Sequence, residues 1–269
     1  MIYPGENSLI KSISLNFKKN IKPVNNSIRT FSKKVDKRLP LIKNKIIFNN
    51  YNVDFESLER PILNKKLKHI NISLAKKIKS IKNNILILGA SSGIGYDVLN
   101  LFKINKNVKI IATFYKNKIK FKNKNIIVKK INIEKDLKII KLIIKKYYPL
   151  NIYYFATPKI LSEKKNKNLT NLYDKFYNII PLKIIKFSDK YKIKCFYPST
   201  IFSNKNSSYV EVKKRAERNL IKLKLKKSKI DILRIHPINT KQNLSILNIN
   251  VPNFRDILEI NREYQDKFF

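Results

Sequence analysis

Glycine is nearly absent from this chain. There are four in 269 residues, and three of them, Gly89, Gly93 and Gly95, fall within seven positions. Lysine, asparagine and isoleucine crowd nearly everything else. Glycine is retained where the backbone needs φ > 0 or must lie too close to another group for a Cβ. With Ile85-Leu86-Ile87-Leu88 before it, the run reads as a buried strand, a tight turn and a helix start. Such a turn aims backbone N–H groups and the positive end of a helix dipole at an anion, a phosphate above all. The residues expected to line it are Gly89, Ser91, Ser92, Gly93, Ile94 and Gly95. The spacing is Gly-x-x-x-Gly-x-Gly, not the Gly-x-Gly-x-x-Gly of the usual dinucleotide fingerprint. The turn needs support from the rest of the chain.

That support begins with alternation. From residue 84, apolar runs expected as strands (85–88, 108–114, 125–130, 151–156, 193–197 and 230–235) alternate with stretches of helical period (94–104, 134–148, 169–191 and 209–225). The pattern implies a doubly wound α/β domain over 84–269, its parallel sheet covered on both faces by helices. Residues 1–62 read instead as β-rich, with candidate strands at 12–17, 27–36, 41–49 and 52–55 and one apolar face that needs a cover. The lysine-rich stretch 63–83 reads as a linker containing a short helix, 73–81.

The net charge of +41 invites a nucleic-acid reading, but only eight of the 59 basic residues are arginine, and the lysines are spread over the whole chain. A reading face would cluster its charge and favour arginine for bidentate contacts. No specific nucleic-acid partner is expected. One cysteine, Cys195, excludes an internal disulfide and suits a reducing compartment; a buried, inert thiol is its simplest role. The start lacks the basic and apolar regions of a signal peptide, and lysines interrupt every long apolar stretch. A cytoplasmic protein without a membrane partner is expected. His69 has no plausible co-ligands, so no metal is expected.

Ligands of doubly wound sheets bind at the carboxyl ends of the strands. The second strand ends in Tyr115-Lys116-Asn117-Lys118, with no acid to accept from ribose hydroxyls and with cations suited to a 2′-phosphate. NADP is therefore favoured, with NAD the alternative. Asn132 follows the third strand and Ala156-Thr157 the fourth; the fifth ends in Ser199-Thr200 and the sixth in His236-Pro237-Ile238-Asn239-Thr240. A packed strand-end side chain is the simplest reading of His236. Beyond the fifth strand, Tyr209 and Lys213 share one helix face at i and i+4. A neighbouring ammonium lowers the pKa of a phenol and makes it a usable acid or base. In a chain so rich in tyrosine and lysine, the pair has value only through its position.

In order and spacing, residues 84–245 resemble the short-chain dehydrogenase/reductase family. Gly89-Ala90-Ser91-Ser92-Gly93-Ile94-Gly95 is similar to its cofactor turn, and Tyr209-x-x-x-Lys213 to its active-site pair. The resemblance implies a nicotinamide cofactor and a small carbonyl or alcohol substrate. Tyr209 would protonate the carbonyl, Lys213 would hold the nicotinamide ribose and depress the pKa of Tyr209, and Thr200 or Ser199 would orient the carbonyl. Pro237 and Thr240 would lie beside the cofactor, and Asn178 is the nearest counterpart of the family's helical asparagine. Departures stand at Phe155-Ala156-Thr157-Pro158, where the family has Asn-Asn-Ala-Gly, and at Pro237-Ile238, where it has Pro-Gly; no clear seventh strand follows. They leave open the alternative of a cofactor-binding or regulatory protein with weak or no turnover. Residues 1–62 resemble the later half of a MaoC-like hot-dog domain, without the half that carries that family's catalytic residues. Both parts favour a homodimer.

Overall fold

The computed structural model describes residues 8–17, 28–34, 41–48, 51–59, 70–120, 123–158, 166–201, 207–236, 238 and 252–269. The chain divides into two compact units, Met1–Leu67 with Asn243–Val251 and Lys68–Gln242 with Pro252–Phe269.

In the first unit, alternating sequence makes a sheet with two unlike faces. Strands β1 (Ser8–Phe17), β2 (Ile28–Lys34), β3 (Leu41–Phe48) and β4 (Tyr51–Glu59) pair antiparallel in the order β1-β4-β3-β2. The register sets Ile13, Leu15 and Phe17 opposite Phe55, Val53 and Tyr51, and those opposite Asn44, Ile46 and Phe48. A register shift between Ile10 and Ser12 keeps Ile10 on that same apolar face, since period-2 alternation would otherwise turn it away. In its centre Ser57 and Asn44 are buried and hydrogen-bonded to each other at 2.9 Å, and Ser32 donates to Asn44 at 2.7 Å, so the buried amide is satisfied. Along the β1 edge Ile13, Leu15 and Phe17 are exposed. The opposite face is mixed, with Asp54, Lys43 and Lys45 beside Phe31, Ile47, Leu41 and Leu58, and it carries the Lys11–Glu56 pair.

The second unit opens with α1 (Ile72–Ser80), within the stretch expected as a linker. It is not a mere spacer: Leu74 and Ile78 are buried in the main core, and Asn71 caps the helix by accepting from the Ser73 N–H. Strands β5 (Asn84–Leu88), β6 (Ile110–Phe114), β7 (Ile126–Lys130), β8 (Leu150–Tyr154), β9 (Lys194–Thr200) and β10 (Lys229–Ile235) form one parallel sheet, ordered β7-β6-β5-β8-β9-β10. The order reverses between β5 and β8, which opens a crevice at their carboxyl ends.

Buried strands alternate their side chains between two cores. Ile85 and Ile87 of β5 join Tyr153 and Phe196 in one, under α1, α2 (Gly93–Phe102), α7 (Phe254–Ile260) and α8 (Arg262–Phe268). Leu86 and Leu88 join Tyr154, Cys195 and Tyr197 in the other, under α3 (Leu137–Lys146), α5 (Ile180–Ser188) and α6 (Ser208–Ile221). The apolar stripe of α3 packs as its period requires, with Ile140 and Ile144 buried and Leu137 partly so. Cys195 is buried, and burial pushes its thiol up to about 12, so it is chemically quiet at neutral pH. Among the described residues no strand follows β10, and no helix is long and apolar enough to cross a membrane. His236, read from the sequence as packed, is exposed just past β10.

The last helix was not expected as a core element. Phe268 of α8 is fully buried, stacks on Phe102 at 5.7 Å, and meets Tyr153 and Phe196 at 5.0 Å; the Tyr153 hydroxyl donates to its carbonyl. Phe268→Ala is expected to destabilise the domain by about 3–5 kcal/mol, as deletion of a buried aromatic does. Urea unfolding followed by circular dichroism measures it, and a loss below about 1 kcal/mol would mean that α8 is not part of the core.

Candidate active site

The glycine turn is built by close approach. Gly89 has φ +87°, and a Cβ on it would lie 2.6 Å from the Ala156 nitrogen and 2.7 Å from the Ala156 Cα. A Cβ on Gly95 would collide with the Gly89 carbonyl oxygen. Thr113 at the end of β6 holds the turn from the other side: its Oγ1 accepts from the Gly89 N–H at 3.0 Å and its carbonyl from the Ala90 N–H at 2.8 Å. Ser92 occupies the N-cap of α2 with no side-chain bond to the helix, as does Asp136 at α3, whereas Asn71, Asn166, Ser207, Asn253 and Asn261 cap theirs. The donors of the first turn of α2 thus lack a capping side chain and are suited to an external acceptor. Ser91 is half-buried, Ile94 packs on the core, and Lys116 and Lys118 are exposed beyond β6. Asn132 is engaged locally: its Oδ1 accepts from the Glu134 N–H, and its own N–H donates to Asp136.

The second cluster lies at the ends of β8 and β9. Tyr209, in the first turn of α6, hydrogen-bonds with Thr200 at the end of β9. Of the two hydroxyls that end β9, this is the one the structure brings to the phenol. Ser199 instead donates to Glu217 at 2.6 Å, and Arg234 binds the same carboxylate at 2.7 Å. Burial alone would raise the Glu217 carboxyl, but the bonds from Arg234 and Ser199 together hold it below the usual range. Pro237 and Thr240 lie outside the described residues.

Lys213 departs from the simple picture of an ammonium beside a phenol. Its side chain is buried; Nζ donates to the Pro198 carbonyl at 2.6 Å and lies 4.2 Å from the centroid of the Tyr177 ring and 4.7 Å from that of Tyr197. The Tyr209 centroid is farther, at 6.0 Å. Burial lowers the Lys213 pKa to about 7, with Glu217 working the other way. Burial raises Tyr209 to about 12, against the Thr200 bond. Lys213 therefore does not depress the phenol as expected. Sharing a helix face puts the two side chains together but does not aim Nζ at the hydroxyl.

Tyr177 is the residue that sequence reasoning missed. It sits in a π-helical segment, Lys175–Ile179, between α4 (Lys167–Asp174) and α5. Pro181 explains the local geometry. It has no N–H, so the carbonyls of Tyr177 at i−4 and Phe176 at i−5 lose their helical partner. Tyrosines of the sheet replace it: Tyr197 donates to the Tyr177 carbonyl at 2.7 Å and Tyr154 to that of Phe176 at 2.6 Å. The Tyr177 hydroxyl meets the hydroxyl of Thr157, just past β8. Asn178 turns elsewhere, bonded to Asp174 and Asn219. The proline four residues on was the only sequence signal. Among the described residues no group of His, Cys, Asp and Glu could hold a metal ion.

No protein-family model and no curated protein matches the chain. Among solved structures it is similar to a short chain dehydrogenase from Burkholderia cenocepacia in complex with NADP, at a TM-score of 0.57 over 69% of this chain and 85% of that one, with 10% identity. It is also similar to a short chain dehydrogenase family protein from Francisella tularensis, at 0.51 over 70% and 94%, with 15% identity. At these identities the likeness is one of fold: the second unit has the Rossmann architecture of short-chain dehydrogenases.

Two outcomes are expected of this geometry. Gly89→Ala places a Cβ in a left-handed conformation and against the Ala156 backbone, and should destabilise the domain by roughly 2–4 kcal/mol in urea unfolding; a neutral result would mean that the turn can open. Lys213 has a folded pKa of about 7 against an ordinary 10.5. Between those values the unfolded chain binds the extra proton, so stability rises with pH across that window. The stability of the wild type relative to Lys213→Met should therefore fall as pH is lowered from about 10 to 7 and level off below. Parallel stability profiles for the two proteins would contradict the buried, weakened base.

Proposed function

We propose that this protein is an oxidoreductase of the short-chain dehydrogenase type, interconverting a small carbonyl compound and an alcohol with NADP, or NAD as the alternative. The single observation that supports it most is the Thr200–Tyr209 bond at the carboxyl end of β9, with Lys213 Nζ 6.0 Å from the Tyr209 ring, on the side of the sheet where the Gly89–Gly95 turn lies.

The residues of this chain fit the cofactor. The close backbone approach at Gly89 and Gly95 leaves no room for side chains in the turn, and α2 offers N–H donors to a pyrophosphate. Lys116 and Lys118, with no acid beside them, suit a 2′-phosphate. Ala156 and Thr157 follow the strand beside the switch point. When bound, the nicotinamide supplies the hydride equivalent for the carbonyl carbon. Tyr209, a phenol held protonated at neutral pH, donates the proton to the carbonyl oxygen. Thr200 orients that oxygen, and the Lys213 charge stabilises the phenolate left behind. The alternative reading, a cofactor-binding protein without turnover, draws on Asn178, whose amide is committed to Asp174 and Asn219. The exposed row Ile13, Leu15 and Phe17 supports assembly with a second copy.

NADPH oxidation is to be followed with a broad panel of aldehydes and ketones, and NADPH binding by its fluorescence. Tyr209→Phe should lower kcat by ~10²–10⁴-fold with cofactor binding intact, the usual contribution of a positioned acid. Wild-type turnover in that variant would sink the assignment. Binding with no turnover on any carbonyl would favour the alternative.

A further inference from the structure

We propose that Tyr177 is a positioning residue of this site, its ring face holding the Lys213 ammonium against the Pro198 carbonyl while Thr157 holds the ring. The role assigned to Lys213 rests on the reading above; the contact itself does not.

A buried ammonium needs its three protons satisfied or its charge compensated. One proton is taken by Pro198. The tyrosine faces take the rest of the charge: Tyr177 at 4.2 Å and Tyr197 at 4.7 Å are within the range of strong cation–π contact, which is worth most where water is excluded. Glu217 lies one turn along α6 but is engaged by Arg234 of β10 and Ser199 of β9. Tyr209 is farther away, and Tyr154 of β8 is turned to the Phe176 carbonyl. Asp174 is paired with Arg215.

Tyr177 is itself held at three points. Its carbonyl accepts from Tyr197, its hydroxyl meets Thr157, and its ring packs edge-to-face on Tyr209 at 5.4 Å. One side chain thus touches both members of the Tyr209–Lys213 pair. The proline-induced π-turn aims this ring, and not the adjacent Asn178 amide, at the ammonium.

The test exploits the ring's electron density. Tyr177 is replaced by Phe and then by mono-, di- and trifluorophenylalanine, introduced at that position only; shape changes little while the attraction for a cation falls with each fluorine. The charge state of Lys213 is read from ¹³Cε resonances of lysine-labelled protein without cofactor or substrate, its signal being the one absent from Lys213→Met. The expected result is a midpoint within a few tenths of a pH unit of wild type for Tyr177→Phe, then a stepwise fall of about one pH unit across the fluorinated series. A flat series, or a Tyr177→Phe shift as large as the whole series, would overturn the proposal, the latter by assigning the effect to the hydroxyl. Thr157→Val, which removes the same hydroxyl contact as Tyr177→Phe, should move the midpoint by no more than a few tenths of a pH unit. In the kcat–pH profile, the high-pH limb should move down with the midpoint. Loss of that correspondence with the NMR shifts intact would count against the oxidoreductase reading and not against the contact.

Discussion

The ammonium of Lys213 is held out of water, and much of the second unit is arranged to make that tolerable. An isolated buried charge costs far more than a folded domain's margin of stability. The chain meets the cost with a carbonyl from β9, two aromatic faces from different elements, and a carboxylate one helical turn away. Even so the ammonium is weakened to about 7, so the lysine stands between charged and neutral at the pH where proteins work. A group so poised commonly marks a functional site.

The cage is held together by a defect in a helix. Pro181 withdraws one N–H, two carbonyls are left over, and tyrosines of the neighbouring strands supply the donors. Side chains of β8 and β9 are thereby tied to the helical stretch that carries Tyr177. On the opposite side of the crevice the constraint is steric and not polar. Gly89 and Ala156 bring their backbones together so closely that a methyl group would not fit. One half of the site is fixed by absent side chains, the other by hydroxyls in fixed places.

Most of the architecture was legible in the sequence. The strands of the parallel sheet are contiguous apolar runs, and their ends, with Gly89 and Thr200, could be read one by one. The glycine turn stood out because glycine is so scarce elsewhere. Less legible was whatever depends on contacts between distant segments. The i, i+4 spacing placed Tyr209 and Lys213 together, but not the turn of Nζ toward Pro198, which sits on a strand fifteen residues earlier. Between Ser199 and Thr200 the sequence favoured the latter only through its place in the family pattern; that Glu217 claims the former is visible only in the fold. Arg262 to Lys267 is too polar to announce a core helix, although Tyr264 enters the same core as Phe268, and Phe269 packs against Phe102 and Phe268. Tyr177 carried no local mark apart from the proline downstream of it.

The tyrosine bonds described above also make this protein its own optical reporter. The sequence contains no tryptophan, so its ultraviolet emission comes from tyrosine alone. Tyr177, Tyr197 and Tyr209 gather around one lysine and Tyr154 stacks on Tyr197, each with its hydroxyl in a distinct bond, to a carbonyl in two cases and to a threonine in the other two. Phenol absorption and emission respond to such bonds and to a nearby charge. Occupation of the crevice, or a change in the charge of Lys213, would therefore be visible in the spectrum of the unlabelled chain.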